Sequence, residues 1–181
     1  MIDRRHLVLG GASALLAGQA SAQTGGAYGF TFDALEGGSL ALSQFAGRAL
    51  IVVNTASGCG FTGQYSGLRD IDVRFRGAPL TIVGVPCNQF GEQEPGSSED
   101  IRELCDGYRV EFPMAAKTDV VGPTRHPFYA WAENQIGASA VPRWNFHKIF
   151  VGRDGTAREA LRTQVDPISP EFVAAVERAL T

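Results

Sequence analysis

The hydrophobic residues of this 181-residue chain fall into short apolar runs separated by amphipathic stretches. Residues 49–53 and 80–85 are apolar and partly β-branched, which is typical of strands buried on both faces. Residues 148–151 form a third apolar run, and a glycine-containing turn joins it to a strand over 157–161. Near the start, two short alternating segments flank the glycine pair at 37–38, which predicts a small hairpin.

Apolar residues at helical spacing occur between and after these strands. Helices are predicted over about 65–75, 98–107, 127–132 and 170–180. Ser98 is expected to cap the second helix, because the next two residues are acidic and favour a helix start. Strands that alternate with helices, followed by a hairpin and a last helix, predict an α/β domain with a thioredoxin-like fold, in which helices flank a central mixed sheet.

The first residues have the features of an export signal. An arginine pair at positions 4–5 precedes an apolar run over 7–17, and residues 20–22 form an A-x-A-type cleavage site. This order predicts a signal peptide over 1–22 and export to the periplasm. The arginine pair resembles a twin-arginine signal, and an ordinary secretory signal is the alternative.

The rest of the chain has the composition of one globular domain. Residues 23–28 are predicted to be a glycine-rich linker, and residues 29–181 the domain. The chain is 44% hydrophobic with a formal net charge of −3, so no basic field indicates nucleic acid binding. The chain has no apolar run of about 20 residues, so no helix inserted in a membrane is predicted.

The cysteine pattern gives little support for a metal site. Cys59, Cys87 and Cys105 include no C-x-x-C pair, and only His126 and His147 remain once the signal is removed. We therefore expect no metal and no cofactor.

Cys59 lies in a turn of small residues, after the strand over 49–53 and close to the start of a helix. Open α/β sheets place their chemistry at the carboxyl ends of strands. The free N–H groups of a helix start favour a thiolate over a thiol. A reactive thiol is therefore expected, and a buried, inert cysteine is the alternative.

Three stretches, residues 54–62, 84–96 and 144–151, closely resemble the motifs of the glutathione peroxidase family in its cysteine-containing, thioredoxin-dependent form. The resemblance extends over about residues 28–181. It implies a thioredoxin fold and an enzyme that reduces hydrogen peroxide and organic or lipid hydroperoxides. It also implies that Cys59 is the peroxidatic residue.

The same resemblance makes Gln93, Trp144 and Asn145 the partners of Cys59 in the active site. Their amide and indole N–H groups are neutral donors. Donors fixed around the sulfur can stabilise a thiolate and hold the oxygen that leaves when the O–O bond breaks. Loop polar groups and a core aromatic ring are the alternative interpretation of these three residues.

The stretch from Cys105 to residues 112–113 resembles the resolving-cysteine segment of family members that use thioredoxin. The resemblance implies that Cys105 forms a disulfide with Cys59 after oxidation to the sulfenic acid. A disulfide needs Cα atoms within about 7 Å. Cys59 lies in a turn and Cys105 lies inside a separate helix, so the helix over about 98–108 is expected to unwind before the two can meet. A buried helix cysteine is the alternative for Cys105, and Cys87 is expected to be structural.

Two departures from the family pattern bear on function. Gly58 and Phe61 stand where relatives can carry a lysine or glutamine, so a basic neighbour that would help ionise the thiol is missing. The stretch over 122–144 is short and lacks the insertion that tetrameric members use to assemble, which favours a monomer.

The partners expected from the sequence are a hydroperoxide and a thioredoxin-like or glutathione reductant. A peroxide sensor that passes its oxidation to a partner protein would need the same cysteines. A one-cysteine, glutathione-dependent cycle is a further alternative. A disulfide-exchange enzyme is disfavoured, because Thr62 occupies the second position of a C-x-x-C motif.

Overall fold

The computed structural model describes residues 26–181, and the export signal predicted over 1–22 lies outside them. The predicted α/β architecture is present. The strands are β1 (Thr31–Asp33), β2 (Ser39–Ala41), β3 (Ala49–Thr55), β4 (Leu80–Pro86), β5 (Lys148–Val151) and β6 (Ala157–Leu161). The helices are α1 (Gln64–Arg74), α2 (Ser98–Gly107), α3 (Pro127–Ile136) and α4 (Pro170–Leu180).

The central sheet is mixed, with strand order β4-β3-β5-β6. β3 pairs parallel with β4 and antiparallel with β5, and β5 pairs antiparallel with β6. β1 and β2 form the predicted hairpin as a separate two-stranded sheet. The predicted strands and helices are confirmed, and α3 extends four residues beyond the sequence-based expectation.

Each face of β3 packs into a different core, because all seven of its residues are buried and successive side chains point in opposite directions. Ile51 and Val53 contact the core formed with α1 and α4. Leu50 and Val52 contact the core formed with α3 and the hairpin. The sheet is thus covered by helices on both sides, as the prediction requires.

The start of α2 differs by one residue from the sequence-based expectation. Ser97, not Ser98, is the N-cap residue. Its hydroxyl accepts a hydrogen bond from the Asp100 N–H, and its own N–H donates to the Asp100 carboxylate at 2.7 Å. The aspartate three residues after Ser97 completes this capping box, which a cap at Ser98 would forgo. The helix ends at Gly107, as predicted.

A buried lysine joins α1 to the segment after β6. The Lys148 ammonium donates to the Gln64 side-chain oxygen at 2.6 Å and to the Val165 carbonyl at 2.7 Å. The Gln64 amide also donates to the Thr163 carbonyl at 2.6 Å. Lys148 is fully buried, so these oxygen acceptors replace the water that its ammonium would otherwise need.

The packed domain extends towards the N-terminus beyond the predicted boundary. The last residues of the predicted linker form a 3-10 turn, Gly26–Gly29, in which Ala27 is fully buried. The Tyr28 hydroxyl donates to one of the nearby carbonyl oxygens and lies 2.8 Å from that of Arg48. No helix within residues 26–181 has the length and apolar character needed to cross a membrane.

Candidate active site

The sheet brings the three motif stretches to one edge. β3 and β4 run parallel, so the chain leaves both strands at the same edge. β5 runs antiparallel to β3, so the chain enters β5 at that edge. The loops over 56–63 and 87–96 and the segment over 144–147 therefore meet there.

Cys59 is 8% exposed and lies in a tight turn before α1. The Thr62 hydroxyl accepts from the Cys59 N–H at 3.1 Å and lies 2.7 Å from the Cys59 carbonyl oxygen. The Phe61 N–H donates to the Cys59 Sγ at 3.4 Å. An N–H donor at sulfur is the contact that stabilises developing negative charge on it. This donor comes from the turn itself, because α1 begins only at Gln64.

Gln93 links the Cys59 turn to the segment before β5. Its carbonyl accepts from the Gly58 N–H at 2.8 Å. Its side-chain oxygen accepts from the Asn145 amide at 3.0 Å. Asn145 is fully buried, and its own side-chain oxygen has no hydrogen-bond partner. The Asn145 NH₂ group is engaged by the Gln93 oxygen and by the Phe90 carbonyl. The Gln93 NH₂ group is therefore the donor of this amide pair that remains available.

Asn54, the penultimate residue of β3, holds the segment before β5 in place. Its side-chain amide donates to the Trp144 carbonyl at 3.1 Å, and its side-chain oxygen accepts from the His147 N–H at 3.2 Å. Its main-chain carbonyl accepts from Phe146 at 2.6 Å. Phe146 has φ 61°, a left-handed conformation that bulky residues seldom adopt. The Asn54 contacts therefore maintain a bend that sets the direction of both Trp144 and Asn145.

The Trp144 ring is 39% exposed, which is high for a large apolar side chain. It lies against Phe90, with ring centroids 6.1 Å apart. Gly91, at φ +66°, leaves space beside the ring, because a Cβ there would lie 3.4 Å from Trp144. The ring thus covers the loop that carries Gln93 instead of filling the core.

Glu94 is a site residue that the sequence analysis did not single out. It is fully buried, and neither of its carboxylate oxygens has a hydrogen bond of ordinary geometry. Burial raises the pKa of Glu94, and the facing Ser57 offsets this only in part. Its position within a polar loop pointed to exposure. Only its place inside the second motif stretch, directly after Gln93, could have indicated otherwise.

Cys105 lies on α2, fully buried, in the same hydrophobic core as Cys59. Its thiol faces the hydroxyl of Tyr65, a fully buried α1 residue. Burial raises the pKa of Cys105, and Arg102 and Tyr65 oppose that change. Cys105 is therefore a protonated thiol in this fold. All three cysteines are free thiols in the structure.

Cys87 is buried in the second core, beside β4. The Gln89 N–H donates to its sulfur at 3.4 Å, and its thiol lies 3.6 Å from the Gln89 side-chain oxygen. Burial raises the pKa of Cys87. A protonated thiol enclosed in this way fits the structural role expected of it.

A free thiol at the carboxyl end of a central strand, with a backbone N–H on its sulfur and the Gln93 loop bonded to its turn, is typical of a thiol-dependent oxidoreductase of thioredoxin-like fold. Comparison with known proteins specifies the class further. The chain belongs to the glutathione peroxidase family, because the model of that family, described as glutathione peroxidase, matches residues 27–133. This confirms the family that the motifs indicated.

Individual relatives agree with this assignment. A hydroperoxy fatty acid reductase of Synechocystis is 40% identical over 162 residues, which span 84% of this chain and 95% of that protein. The glutathione peroxidase-like peroxiredoxin HYR1 of Saccharomyces cerevisiae is 40% identical over 131 residues, or 70% of this chain and 80% of that protein. The crystal structure of T. cruzi GPX1 superposes with a TM-score of 0.67 at 27% identity, covering 86% of this chain and 96% of that one. The chain is therefore a glutathione peroxidase-like peroxidase of thioredoxin-like fold, as predicted.

The buried imidazole of His147 makes the fold sensitive to acid. His147 is 4% exposed, and burial, with the adjacent Lys148 charge, lowers its pKa from 6.5 to about 4. Between these two values the unfolded chain binds a proton that the folded chain does not, so stability falls as the pH falls through this range.

We predict that the wild-type protein loses about 2 kcal/mol more unfolding free energy than His147→Gln between pH 7.5 and pH 5, because glutamine does not titrate. Urea unfolding of both proteins at the two pH values measures this difference. An equal loss in the two proteins would show that His147 is not the group responsible.

Proposed function

We propose that this peroxidase uses two cysteines and a thioredoxin-like electron donor. The Cys59 thiolate attacks one oxygen of the hydroperoxide, the O–O bond breaks, and the other oxygen leaves with a proton as water or an alcohol. The Cys105 thiol then displaces water from the Cys59 sulfenic acid and forms a disulfide. Two electrons from the donor restore both thiols.

One observation carries this proposal. The hydrogen bonds of Gln93 to Gly58 and Asn145, at 2.8 and 3.0 Å, join all three motif stretches beside Cys59. Neutral donors in such a place can stabilise the thiolate and receive the departing oxygen without being protonated or deprotonated. Thr62 supports the peroxidase over disulfide exchange, because its hydroxyl fixes the turn where a C-x-x-C enzyme has its second sulfur.

The assignment of Cys105 as the resolving cysteine rests on the construction of α2. Of its ten residues, only Ile101 and Cys105 are buried. A short helix with so little buried surface opens at low free-energy cost. Opening would expose the Cys105 thiol to Cys59 and to water, which favours its ionisation. The name of the yeast relative, a glutathione peroxidase-like peroxiredoxin, agrees with a thiol-based cycle.

We also propose that the protein is exported and works as a monomer. The arginine pair, apolar run and A-x-A site occur in the order of an export signal within residues 1–22. The short stretch over 122–144, which holds α3, supports a monomer with an open site. An exported enzyme then requires an electron donor that is available outside the cytoplasm.

We predict that Cys59→Ser abolishes peroxidase activity and that Gln93→Ala lowers the rate of the peroxide step about 10- to 1000-fold, because one donor to the leaving oxygen is lost. Stopped-flow measurements of the reaction with hydrogen peroxide test both. Gln44→Ala is the matched control, since Gln44 is exposed in a distant 3-10 turn. Near-normal turnover of Cys59→Ser would rule out the mechanism.

Peroxide treatment should convert Cys59 and Cys105 into an intramolecular disulfide. Peptide mapping after one equivalent of hydrogen peroxide, with free thiols blocked, identifies the pair, and hydrogen exchange across residues 98–110 should become faster on oxidation. Cys105→Ser should lose turnover with a thioredoxin-like donor, whereas Cys87→Ser should keep it. A Cys59–Cys87 bridge, or full turnover of Cys105→Ser, would favour a one-cysteine, glutathione-dependent cycle.

The exported form should begin at Gln23. N-terminal sequencing of the protein recovered from the periplasmic fraction measures this, because cleavage after Ala22 removes the predicted signal. Recovery from the cytoplasm of a chain that starts at Met1, with none in the periplasm, would contradict export.

A further inference from the structure

A group of buried polar side chains lies between the end of β3, α1 and the loop before α2. Among residues 26–181, eight buried side-chain atoms have no hydrogen bond of ordinary geometry, and five of them belong to Thr55, Ser57, Tyr65 and Glu94. The Tyr65 hydroxyl faces that of Thr55, and Glu94 faces Ser57. Buried polar groups are normally paired, because an unpaired one loses the hydrogen bonds it makes with water in the unfolded chain. Their concentration here indicates a role beyond packing.

Tyr65 is the member of this cluster whose hydroxyl faces a cysteine, the Cys105 thiol on α2. Tyr65 is fully buried on α1, and burial raises the pKa of its phenol well above the usual value of 10. The hydroxyl therefore keeps its proton at neutral pH. It is a neutral donor in contact with the sulfur that the proposed cycle uses to resolve the sulfenic acid.

The Cys105 sulfur is an acceptor whose strength changes during that cycle. A thiol sulfur accepts only weak hydrogen bonds, whereas a hydrogen bond to an ionised acceptor is about twice as strong as one between neutral groups. The Tyr65 hydroxyl therefore stabilises the Cys105 thiolate more than the thiol. An interaction that strengthens only as the nucleophile forms accelerates the step that needs this nucleophile.

The charged groups near Cys105 act in both directions. Burial raises the pKa of the Cys105 thiol, and the Arg102 guanidinium opposes this from the same helix, as Tyr65 does from α1. The Glu94 and Asp106 carboxylates add to the increase. Tyr65 is thus the group within the buried cluster that favours the thiolate, whereas Glu94 disfavours it.

The contacts of the Tyr65 ring keep its hydroxyl in this position. The ring lies against Tyr108, the residue that caps the C-terminal end of α2, with centroids 5.6 Å apart. It also meets Phe146 edge-on, with centroids 5.4 Å apart. Phe146 belongs to the segment that Asn54 holds at the end of β3. The ring is therefore packed against both the helix that carries Cys105 and the segment before β5.

We propose that the Tyr65 hydroxyl donates a hydrogen bond to the Cys105 sulfur and favours its ionisation while α2 is still closed, which makes Tyr65 a positioning residue for the resolving step. This inference rests on the proposed two-cysteine cycle and specifies how it proceeds. The Cys105 thiol loses its proton to solvent, and the thiolate attacks the sulfur of the Cys59 sulfenic acid. The S–S bond forms as the S–O bond breaks. The departing hydroxide takes up a proton, so the step releases one water and needs no further oxidant or reductant.

Ionisation of Cys105 and opening of α2 favour each other. Because burial raises the pKa of Cys105, the thiolate is less stable in the closed helix than in an open, solvated one. By thermodynamic linkage, the thiolate form opens α2 more readily than the thiol form does. Tyr65 lowers the free energy needed to form the thiolate in the closed helix, and the nearby Glu94 charge then favours opening.

The kinetic test uses Tyr65→Phe, which removes the hydroxyl and keeps the ring. Formation of the Cys59–Cys105 disulfide should slow about 3- to 10-fold relative to the oxidation of Cys59 in the same experiment, the range expected for the loss of one hydrogen bond. Rapid quenching after one equivalent of hydrogen peroxide, with dimedone to trap the sulfenic acid, measures both steps by mass spectrometry. The slowing should disappear at alkaline pH, where Cys105 ionises without help.

Tyr129→Phe is the matched control. Tyr129 is also buried, its hydroxyl also lacks an ordinary hydrogen bond, and burial raises its pKa as well. It lies on α3 in the second core, near Cys87 instead of Cys105. The same substitution there should leave disulfide formation unchanged. Equal slowing in the two variants would assign the effect to the loss of any buried hydroxyl and would overturn the proposal.

A second measurement does not depend on turnover. In a Cys59→Ser, Cys87→Ser protein, Cys105 is the one thiol left in the chain, and the ultraviolet absorbance of its thiolate reports its ionisation as the pH is raised. Addition of Tyr65→Phe to this protein should raise the pKa of Cys105, because a donor to the thiolate is lost. Addition of Tyr129→Phe should not change it.

Two further results would contradict the role of Tyr65. One is an unchanged pKa of Cys105 in the Tyr65→Phe protein. The other is disulfide formation as fast as in the wild type, since α2 would then open before Cys105 ionises. Full turnover of Cys105→Ser would instead refute the two-cysteine cycle, and the titration would still decide whether Tyr65 acts on Cys105.

Discussion

The hydrogen bonds of Asn54 are the constraint on which the site depends. They fix three successive parts of the segment before β5, the Trp144 carbonyl and the Phe146 and His147 N–H groups, to the end of β3. The side chain and the main-chain carbonyl of Asn54 both bind this segment. Trp144 and Asn145 therefore keep a fixed position relative to the turn that follows β3. Because Asn145 holds the Gln93 side-chain oxygen, the free NH₂ group of Gln93 is also oriented before a substrate arrives. Such preorganisation is the condition for electrostatic stabilisation of a transition state.

Much of this arrangement follows from sequence patterns that act locally. The apolar run of β3 and the small residues around Cys59 place a thiol at a strand end without knowledge of the rest of the chain. The one-residue difference at the start of α2 has the same local character, because two adjacent serines compete and only Ser97 has an aspartate at the reciprocal capping position. Local patterns therefore predict elements well and their ends less well.

The parts that could not be predicted arise from contacts between distant residues. Glu94 belongs to a polar loop, yet folding buries it completely against the β3 end. Tyr65 fits the apolar face of a helix, and only the packed structure shows its hydroxyl facing Cys105.

The antiparallel pairing of β5 with β3 has a consequence for how the enzyme matures. Leu50 pairs with Val151, so the central strand acquires this neighbour only when a loop of about 100 residues closes. Closure over such a separation is slow compared with the formation of helices and hairpins. During synthesis, the chain that contains Cys59 does not yet include Trp144 and Asn145. Until they are in place, only the contacts within the Cys59 turn act on its sulfur. The site is thus completed late in folding, once residues 144–181 have docked onto the sheet.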